Sequence, residues 1–169
     1  MFKKILVPLD GSSLAEQVVS CAADEAAQHG GKLVLLRITA LPADLMPPGI
    51  SGYIGPGVPI YVAPGLLGYT PSLLEEIERE DDQATAYLEG IAQPLREKGL
   101  DVEVVTLQGN PGQAIIDYAN DNQVDLIVLA TCGHGGLRRL VFGSVADFVL
   151  KESALPLLVI KPKSAEPQT

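Results

Sequence analysis

The sequence predicts an α/β protein whose single doubly wound, five-stranded parallel sheet carries helices on both faces, a Rossmann-like arrangement. One observation is that short, continuous apolar runs rich in β-branched residues recur along the chain, as in strands buried on both faces of a parallel sheet. The second is that segments with helical spacing of apolar side chains separate these runs. The predicted strands cover residues 4–9, 32–39, 102–107, 126–130 and 157–160.

Length and charge limit the possible functions. A chain of 169 residues can form one domain with its own core. Its net charge of −9 would repel nucleic acid and anionic membrane surfaces, so neither is an expected partner. Met1 to Lys4 run directly into the first predicted strand without an apolar leader, which favours a cytoplasmic protein. The two cysteines and two histidines lack zinc-ligand spacing, so no metal site is predicted.

The first predicted strand ends in a turn at Asp10, where a carboxylate can accept from its own backbone or from a ligand amino group. Ser13 and Glu16 then have capping-box spacing, which predicts a helix N-cap at Ser13. Cys21 is expected in the core. The helix should bury a stripe of small and apolar side chains, namely Leu14, Val18, Ala22 and Ala26.

Residues 40–69 form an insertion that contains six prolines and six glycines, which excludes a regular helix or a central strand. The segment is nevertheless too apolar for a solvated linker. The segment could be a mobile surface flap, a lid over the ligand cleft or an arm on a neighbouring subunit.

The second half of the chain continues the alternation of helices and strands. A long helix is predicted from about residue 71 to Gly99, with Ser72 and Glu75 at capping-box spacing. Asn110 and Pro111 are predicted to cap a shorter helix, and a third helix covers residues 145–150. Residues 164–169 are expected to form a flexible tail beyond a domain of residues 1–163.

Residues 125–144 combine a buried strand, a glycine cluster and a helix start, and they hold the main functional signal. Gly133, Gly135 and Gly136 permit positive φ angles and close approach of a ligand to the backbone. The following helix begins near Ser144, so its free N–H groups would favour an anion, above all phosphate. Neither a P-loop nor a dinucleotide fingerprint is present, because Arg138 replaces the last glycine that the latter requires.

The glycine cluster resembles the nucleotide loop of the universal stress protein family, in which Gly-x-x-Gly, nine residues, and Gly-Ser or Gly-Thr follow one another. Gly133, residues 134–142, Gly143 and Ser144 match, and Ala130 stands at the first glycine. Residues 5–12, 109–111 and 154–160 look like the family's opening strand, third-strand turn and closing strand. The resemblance favours strand order 3-2-1-4-5 over the flavodoxin-like 2-1-3-4-5.

The resemblance implies an ATP-binding switch or sensor of the stress response, with Mg²⁺ carried by the phosphates, weak hydrolysis at most and no catalytic residues. Asp10, Pro8 and Ile38 would contact adenine or ribose, and Gly133 and Ser144 the phosphates. A homodimer would form through Leu157 and Val159 of the last strand. The full predicted site is Pro8, Leu9, Asp10, Ile38, Ala130, Gly133, Gly136, Arg139, Gly143, Ser144, Val145 and Ala146.

Other functions remain open at this point. Ala130 could block close approach of a nucleotide, and the apolar insertion would then recruit a protein partner. A small hydrolase would need Ser144, His134 and Asp10 as a triad, but no nucleophile elbow is present. Cys132, in the glycine loop, is a candidate redox thiol.

Overall fold

A computed structural model describes residues 2–39, 53–54, 71–131 and 143–161. The helices are α1 (Ser13–His29), α2 (Pro71–Glu97), α3 (Pro111–Asp121) and α4 (Ser144–Glu152). The strands are β1 (Lys4–Pro8), β2 (Lys32–Thr39), β3 (Tyr53–Ile54), β4 (Asp101–Gly109), β5 (Leu126–Ala130) and β6 (Leu157–Ile160).

The sheet has the order β3-β4-β2-β1-β5-β6. The five predicted strands are all present and parallel, and their order is the family order 3-2-1-4-5, so the flavodoxin-like alternative is wrong. The sequence did not predict β3, which pairs antiparallel with the end of β4 through Tyr53 and Gly109. Apart from residues 53–54, the insertion lies outside the described residues, as does the predicted tail 164–169.

Two hydrophobic cores cover the two faces of the sheet. Helices α1 and α2 pack on one face, where Val7, Leu35 and Leu88 are fully buried. Helices α3 and α4 pack on the other face, against Leu6, Leu36 and other side chains of β1, β2 and β5. Alternate residues of β1 and β2 therefore enter opposite cores, as expected for strands covered on both sides.

Local hydrogen bonds explain where three elements begin. Asp125 accepts from the backbone N–H groups of Lys3 and Lys4 at 2.8 and 2.9 Å, which ties the start of β5 to the start of β1. Asn110 caps α3 as predicted, because its side chain accepts from the N–H of Gln113 and Pro111 takes the first helical position.

Two predictions for α1 are wrong. The N-cap is Ser12, whose hydroxyl accepts from Ala15 N–H at 3.2 Å, and Ser13 is the first helical residue. Since the cap lies one residue earlier, Glu16 is not part of a capping box and instead accepts from the Tyr87 hydroxyl on α2. Cys21 is exposed, because it lies off the face that buries Ala22 and Val18.

Two helical glycines should respond oppositely to alanine. A Cβ atom at Gly112 of α3 would lie 2.6 Å from Cδ1 of Phe148 on α4, whereas a Cβ at Gly90 of α2 would meet no atom within 4 Å. We expect Gly112→Ala to destabilise the protein by roughly 1–3 kcal/mol through overpacking. Gly90→Ala should stabilise it by roughly 0.5–1 kcal/mol through helix propensity. Urea unfolding of both variants checks this, and equal effects would contradict the described packing.

Candidate functional site

A cavity of about 290 Å³ opens at the carboxyl ends of β1, β2 and β5. It lies where α1 leaves the sheet towards one face and α4 towards the other, the usual position of a ligand site in a doubly wound fold. Its lining is mainly apolar and comprises Pro8, Leu9, Asp10, Ser12, Leu14, Ala15, Leu36, Ile38, Pro111, Ile115, Leu129, Ala130, Gly143, Ser144, Val145 and Ala146.

Pro8 explains why the sheet opens at this point. The backbone N–H of Leu9 donates to Leu36 of β2, so the alternation of a parallel strand turns the nitrogen of Pro8 towards β5. Proline has no N–H to donate there. The ladder between β1 and β5 accordingly consists of only two residue pairs, which join Ile5 to Leu126 and Leu6 to Ile127.

The cavity has apolar walls and a polar end. Ile38 and Leu36 project from the same face of β2, and Ile115 of α3 closes that side. The polar end is the first turn of α4, where the N-cap Gly143 is extended and offers no side-chain hydrogen bond to the helix. Ser144, Val145 and Ala146 follow, and their N–H groups belong to the positive end of the helix dipole. This end of the cavity is therefore suited to an anion.

Asp10 is exposed at the rim of the cavity, and one of its oxygens is already used. Oδ1 accepts from the backbone N–H of Ser12 at 2.9 Å and so closes the turn before α1. Partial burial raises the pKa of Asp10. The hydrogen bonds from Ser12 and the nearby charge of Arg37 together lower it by more, so the pKa of Asp10 lies below its usual value of 3.8. Asp10 is thus an anion that holds its own turn and could accept from a ligand through its second oxygen.

Nine of the predicted site residues line this one cavity: Pro8, Leu9, Asp10, Ile38, Ala130, Gly143, Ser144, Val145 and Ala146. Gly133, Gly136 and Arg139 lie outside the described residues, as do Cys132 and His134. The sequence reasoning missed other wall residues, including Leu36 and Pro111. Leu36 could have been found, because it alternates with Ile38 on one face of the strand.

The model of the universal stress protein family matches residues 1–161. The chain belongs to this family. The universal stress protein MJ0531 of Methanocaldococcus jannaschii is 28% identical over 166 residues, which are 98% of this chain and 86% of that protein. The structure of MJ0577, from the same organism, superimposes with a TM-score of 0.72 at 24% identity and covers 98% of this chain and 99% of its own.

Two further family structures contain an adenine nucleotide. One is a universal stress protein in complex with cAMP, with a TM-score of 0.65 at 18% identity and 96% of this chain covered against 99% of its own. The other is a family protein from Arabidopsis thaliana with AMP bound, with a TM-score of 0.61 at 15% identity, which covers 96% of this chain and 93% of its own. At these low sequence identities, the two superpositions show that the fold is shared.

Within residues 2–39, 53–54, 71–131 and 143–161, no helix combines the length and apolar character that crossing a membrane requires. In the same ranges, no three His, Cys, Asp or Glu side chains come together in a group that could hold a metal ion.

We predict that Asp10 stabilises the turn before α1 through both its oxygen and its charge. Asp10→Ala should lower the free energy of unfolding at pH 7 by about 0.5–1 kcal/mol, whereas Asp10→Asn retains the acceptor and should lose less. Because the folded pKa is below 3.8, the advantage of Asp over Asn is present above that pH and disappears as pH falls through the folded pKa. Urea unfolding at pH 7 and pH 3 checks the prediction, and a larger advantage at pH 3 would contradict it.

Proposed function

We propose that the cavity at the carboxyl ends of β1, β2 and β5 binds an adenine nucleotide and that the protein is a nucleotide-dependent switch of the cytoplasmic stress response. The observation that carries the proposal is the juxtaposition of an apolar slot with an uncapped helix N-terminus. Ile38 and Leu36 line the slot, and Gly143 to Ala146 line the helix end. The apolar slot suits an adenine base, and the helix N-terminus suits a phosphate group.

The proposed pose follows from this division of the cavity. The base would lie against Pro8 and Ile38, with the free oxygen of Asp10 accepting from an amino or hydroxyl group. The phosphates would accept from the first N–H groups of α4 and from the hydroxyl of Ser144. Mg²⁺ would arrive with the phosphates of ATP, because a triphosphate supplies its own metal ligands. Gly133, Gly136 and Arg139 complete the proposed phosphate site.

The cAMP and AMP complexes of the two family structures support an adenine nucleotide as the ligand. Both contain a monophosphate, so a single phosphate group is a sufficient probe of the site. Ala130 lines the cavity and is half-buried, which places a methyl group where the family motif has hydrogen. Because glycine would leave the space of this methyl group to the ligand, Ala130→Gly is the variant expected to bind a nucleotide more tightly.

Replacing one cavity isoleucine tests the position of the base. Ile38→Ala should weaken AMP binding about tenfold, because it removes apolar surface equivalent to about 1.4 kcal/mol. Ile91→Ala is the matched control, since Ile91 is also half-buried but lies on α2 against the other core. Isothermal titration of each variant with AMP measures the affinities. Equal loss in both variants, or no AMP binding by the natural chain, would contradict the proposal.

We propose further that the protein dimerises through β6, the last strand of the sheet. The carbonyl group of Pro156 accepts from Ile127 of β5, and that of Ile160 accepts from Thr131 just after β5. The alternation of a parallel strand therefore turns the backbone of Leu157 and Val159 towards the edge that no other strand of the described residues covers. A row of unpaired backbone groups favours pairing with a second copy of the same strand.

Substitution of Val159 separates edge pairing from folding. Val159→Pro removes an outward N–H that β5 does not use, so the monomer should fold while the dimer dissociates at least about tenfold more readily. Val159→Ala keeps the N–H and should preserve the dimer. Light scattering over a concentration series measures the oligomeric state. A dimer of unchanged strength in Val159→Pro would place the interface elsewhere.

A further inference from the structure

Arg37 lies beside the turn that carries Asp10 but outside the cavity at the carboxyl ends of β1, β2 and β5. In the register of the two strands, Pro8 of β1 pairs with Leu36 of β2, so Arg37 comes next on β2, alongside the turn that follows β1. Arg37 alternates with Leu35, which belongs to the core formed with α1 and α2. Its side chain therefore projects towards these two helices and does not line the cavity.

The guanidinium group of Arg37 packs directly against this turn. A Cβ atom added to Gly11 would lie 2.6 Å from Nη1 and 3.4 Å from both Cζ and Nη2 of Arg37. Gly11 has a φ of +83° and lies between Asp10 and Ser12, inside the ring that Oδ1 of Asp10 closes by accepting from the N–H of Ser12 at 2.9 Å. The positive φ favours glycine, and the missing side chain lets the guanidinium group reach the backbone. Arg37 thus contacts the part of the chain that sets the direction of the Asp10 carboxylate.

Tyr87 of α2 holds the guanidinium group in place. The guanidinium carbon lies 5.5 Å from the centroid of the Tyr87 ring, within the range of a cation–π contact. The Tyr87 hydroxyl donates to Glu16 at 2.9 Å, which ties the ring to α1. Burial and this hydrogen bond raise the pKa of Tyr87, so the hydroxyl keeps its proton at neutral pH. Arg37 is therefore a half-buried cation fixed on an aromatic ring.

Nη1 of Arg37 is buried, and no described residue accepts a hydrogen bond from it. A buried charged donor without an acceptor costs free energy, and groups of this kind are typical of functional sites. The charge of Arg37 acts on Asp10 instead: partial burial raises the pKa of Asp10, while the hydrogen bonds from Ser12 and the charge of Arg37 lower it. The titratable side chains that lie around Arg37 on the neighbouring helices are Glu16 of α1 and Glu80 and Tyr87 of α2.

We propose that Arg37 is a positioning residue for the nucleotide: it holds the turn of Asp10 and Gly11 so that the free oxygen of Asp10 points at the ligand. The inference rests on the proposed function, because it assigns a support to one contact of the proposed nucleotide pose. Arg37 touches no ligand itself, so its buried Nη1 needs no access to solvent. Tyr87 belongs to the same support, because its ring fixes the position of the guanidinium group.

A double-mutant cycle tests whether Arg37 acts through Asp10. Arg37→Met keeps the aliphatic stem and should weaken AMP binding about fivefold, the effect of one net hydrogen bond. In an Asp10→Ala background the same substitution should have no further effect, because the group that Arg37 positions is gone. Isothermal titration with AMP measures the four affinities. Arg96→Met is the matched control and should leave the AMP affinity unchanged, since the Arg96 guanidinium donates to Glu89 and to the Val102 carbonyl at the start of β4.

The Asp10 carboxylate supplies a readout that needs no nucleotide. Its ¹³C signal, followed over the acidic pH range, reports the pKa of Asp10. Arg37→Met should raise this pKa, because a nearby positive charge is lost, whereas Arg37→Lys should keep the pKa low and recover part of the AMP affinity. Tyr87→Leu removes the ring under the guanidinium group and should also weaken AMP binding. Tyr87→Phe keeps the ring and should weaken AMP binding less.

AMP binding and the Asp10 signal together distinguish two failures. No AMP binding by the natural chain would contradict the nucleotide site and the positioning role with it. AMP binding that Arg37→Met leaves unchanged, or weakens equally in the Asp10→Ala background, would overturn the positioning role alone. A pKa of Asp10 that does not rise in Arg37→Met would overturn that role as well. Thermal unfolding shows whether each variant is folded, and Arg37→Lys and Tyr87→Leu keep the test decisive if Arg37→Met does not fold.

Discussion

The burial of β1 in the middle of the sheet is the constraint on which the other elements depend. Ile5, Leu6 and Val7 have no exposed surface, and they pair with β2 on one side and β5 on the other. Each face of this strand must therefore be covered by helices. The carboxylate of Asp125 fixes the opposite end by accepting from two backbone N–H groups at the start of β1. This contact lies next to the first residue pair of the two strands, which joins Ile5 to Leu126.

The cavity is a consequence of the same arrangement. Because Pro8 cannot donate towards β5, the central pair of strands separates after two residue pairs. Helices α1 and α4 then leave towards opposite faces and bring a serine-capped turn and an uncapped helix end to the same opening. Apolar strand residues form the walls, while the polar groups come from helix starts and turns. The cavity therefore has an apolar part and a polar part because strand residues and helix starts meet there, and no single side chain is responsible.

Arg37 and Ile38 show how one strand serves both faces. They are adjacent in the sequence, yet Ile38 enters the core with α3 and α4, whereas Arg37 contacts Tyr87 on α2. Asp10 and Gly11 form one turn that borders two openings. Asp10 lines the cavity at the carboxyl ends of β1, β2 and β5, whereas Gly11 lines a cleft with Arg37 and Tyr87. The charge of Arg37 also contributes to the low pKa of Asp10. Arg37 and Asp10 are therefore electrostatic neighbours, although Arg37 contacts Tyr87 on α2 and Asp10 lines the cavity that α4 borders.

Much of this fold could be predicted from the sequence, because parallel strands buried on both faces leave a strong pattern of apolar runs. The order of the strands needed the family resemblance, since periodicity alone left two orders open. The N-cap of α1 is Ser12 and not the predicted Ser13, because Glu16, whose spacing favoured Ser13, accepts from Tyr87 on α2 and forms no capping box. The edge strand β3 was missed because two residues among prolines and glycines carry no periodic signal.

Most of the described residues that line the cavity could be named in advance because they adjoin strand ends, and Leu36 could have been added because it alternates with Ile38. Ile115 could not, because it depends on which face of α3 packs against the sheet. The contact between Arg37 and Tyr87 could not be predicted, because it joins β2 to α2 and leaves no local pattern in the sequence. The most direct test of the proposed nucleotide site is a crystal structure of this chain grown with saturating AMP. We expect the base to lie against Ile38 and Pro8 and the phosphate at the N-terminus of α4. An empty cavity, or AMP bound only elsewhere, would contradict it.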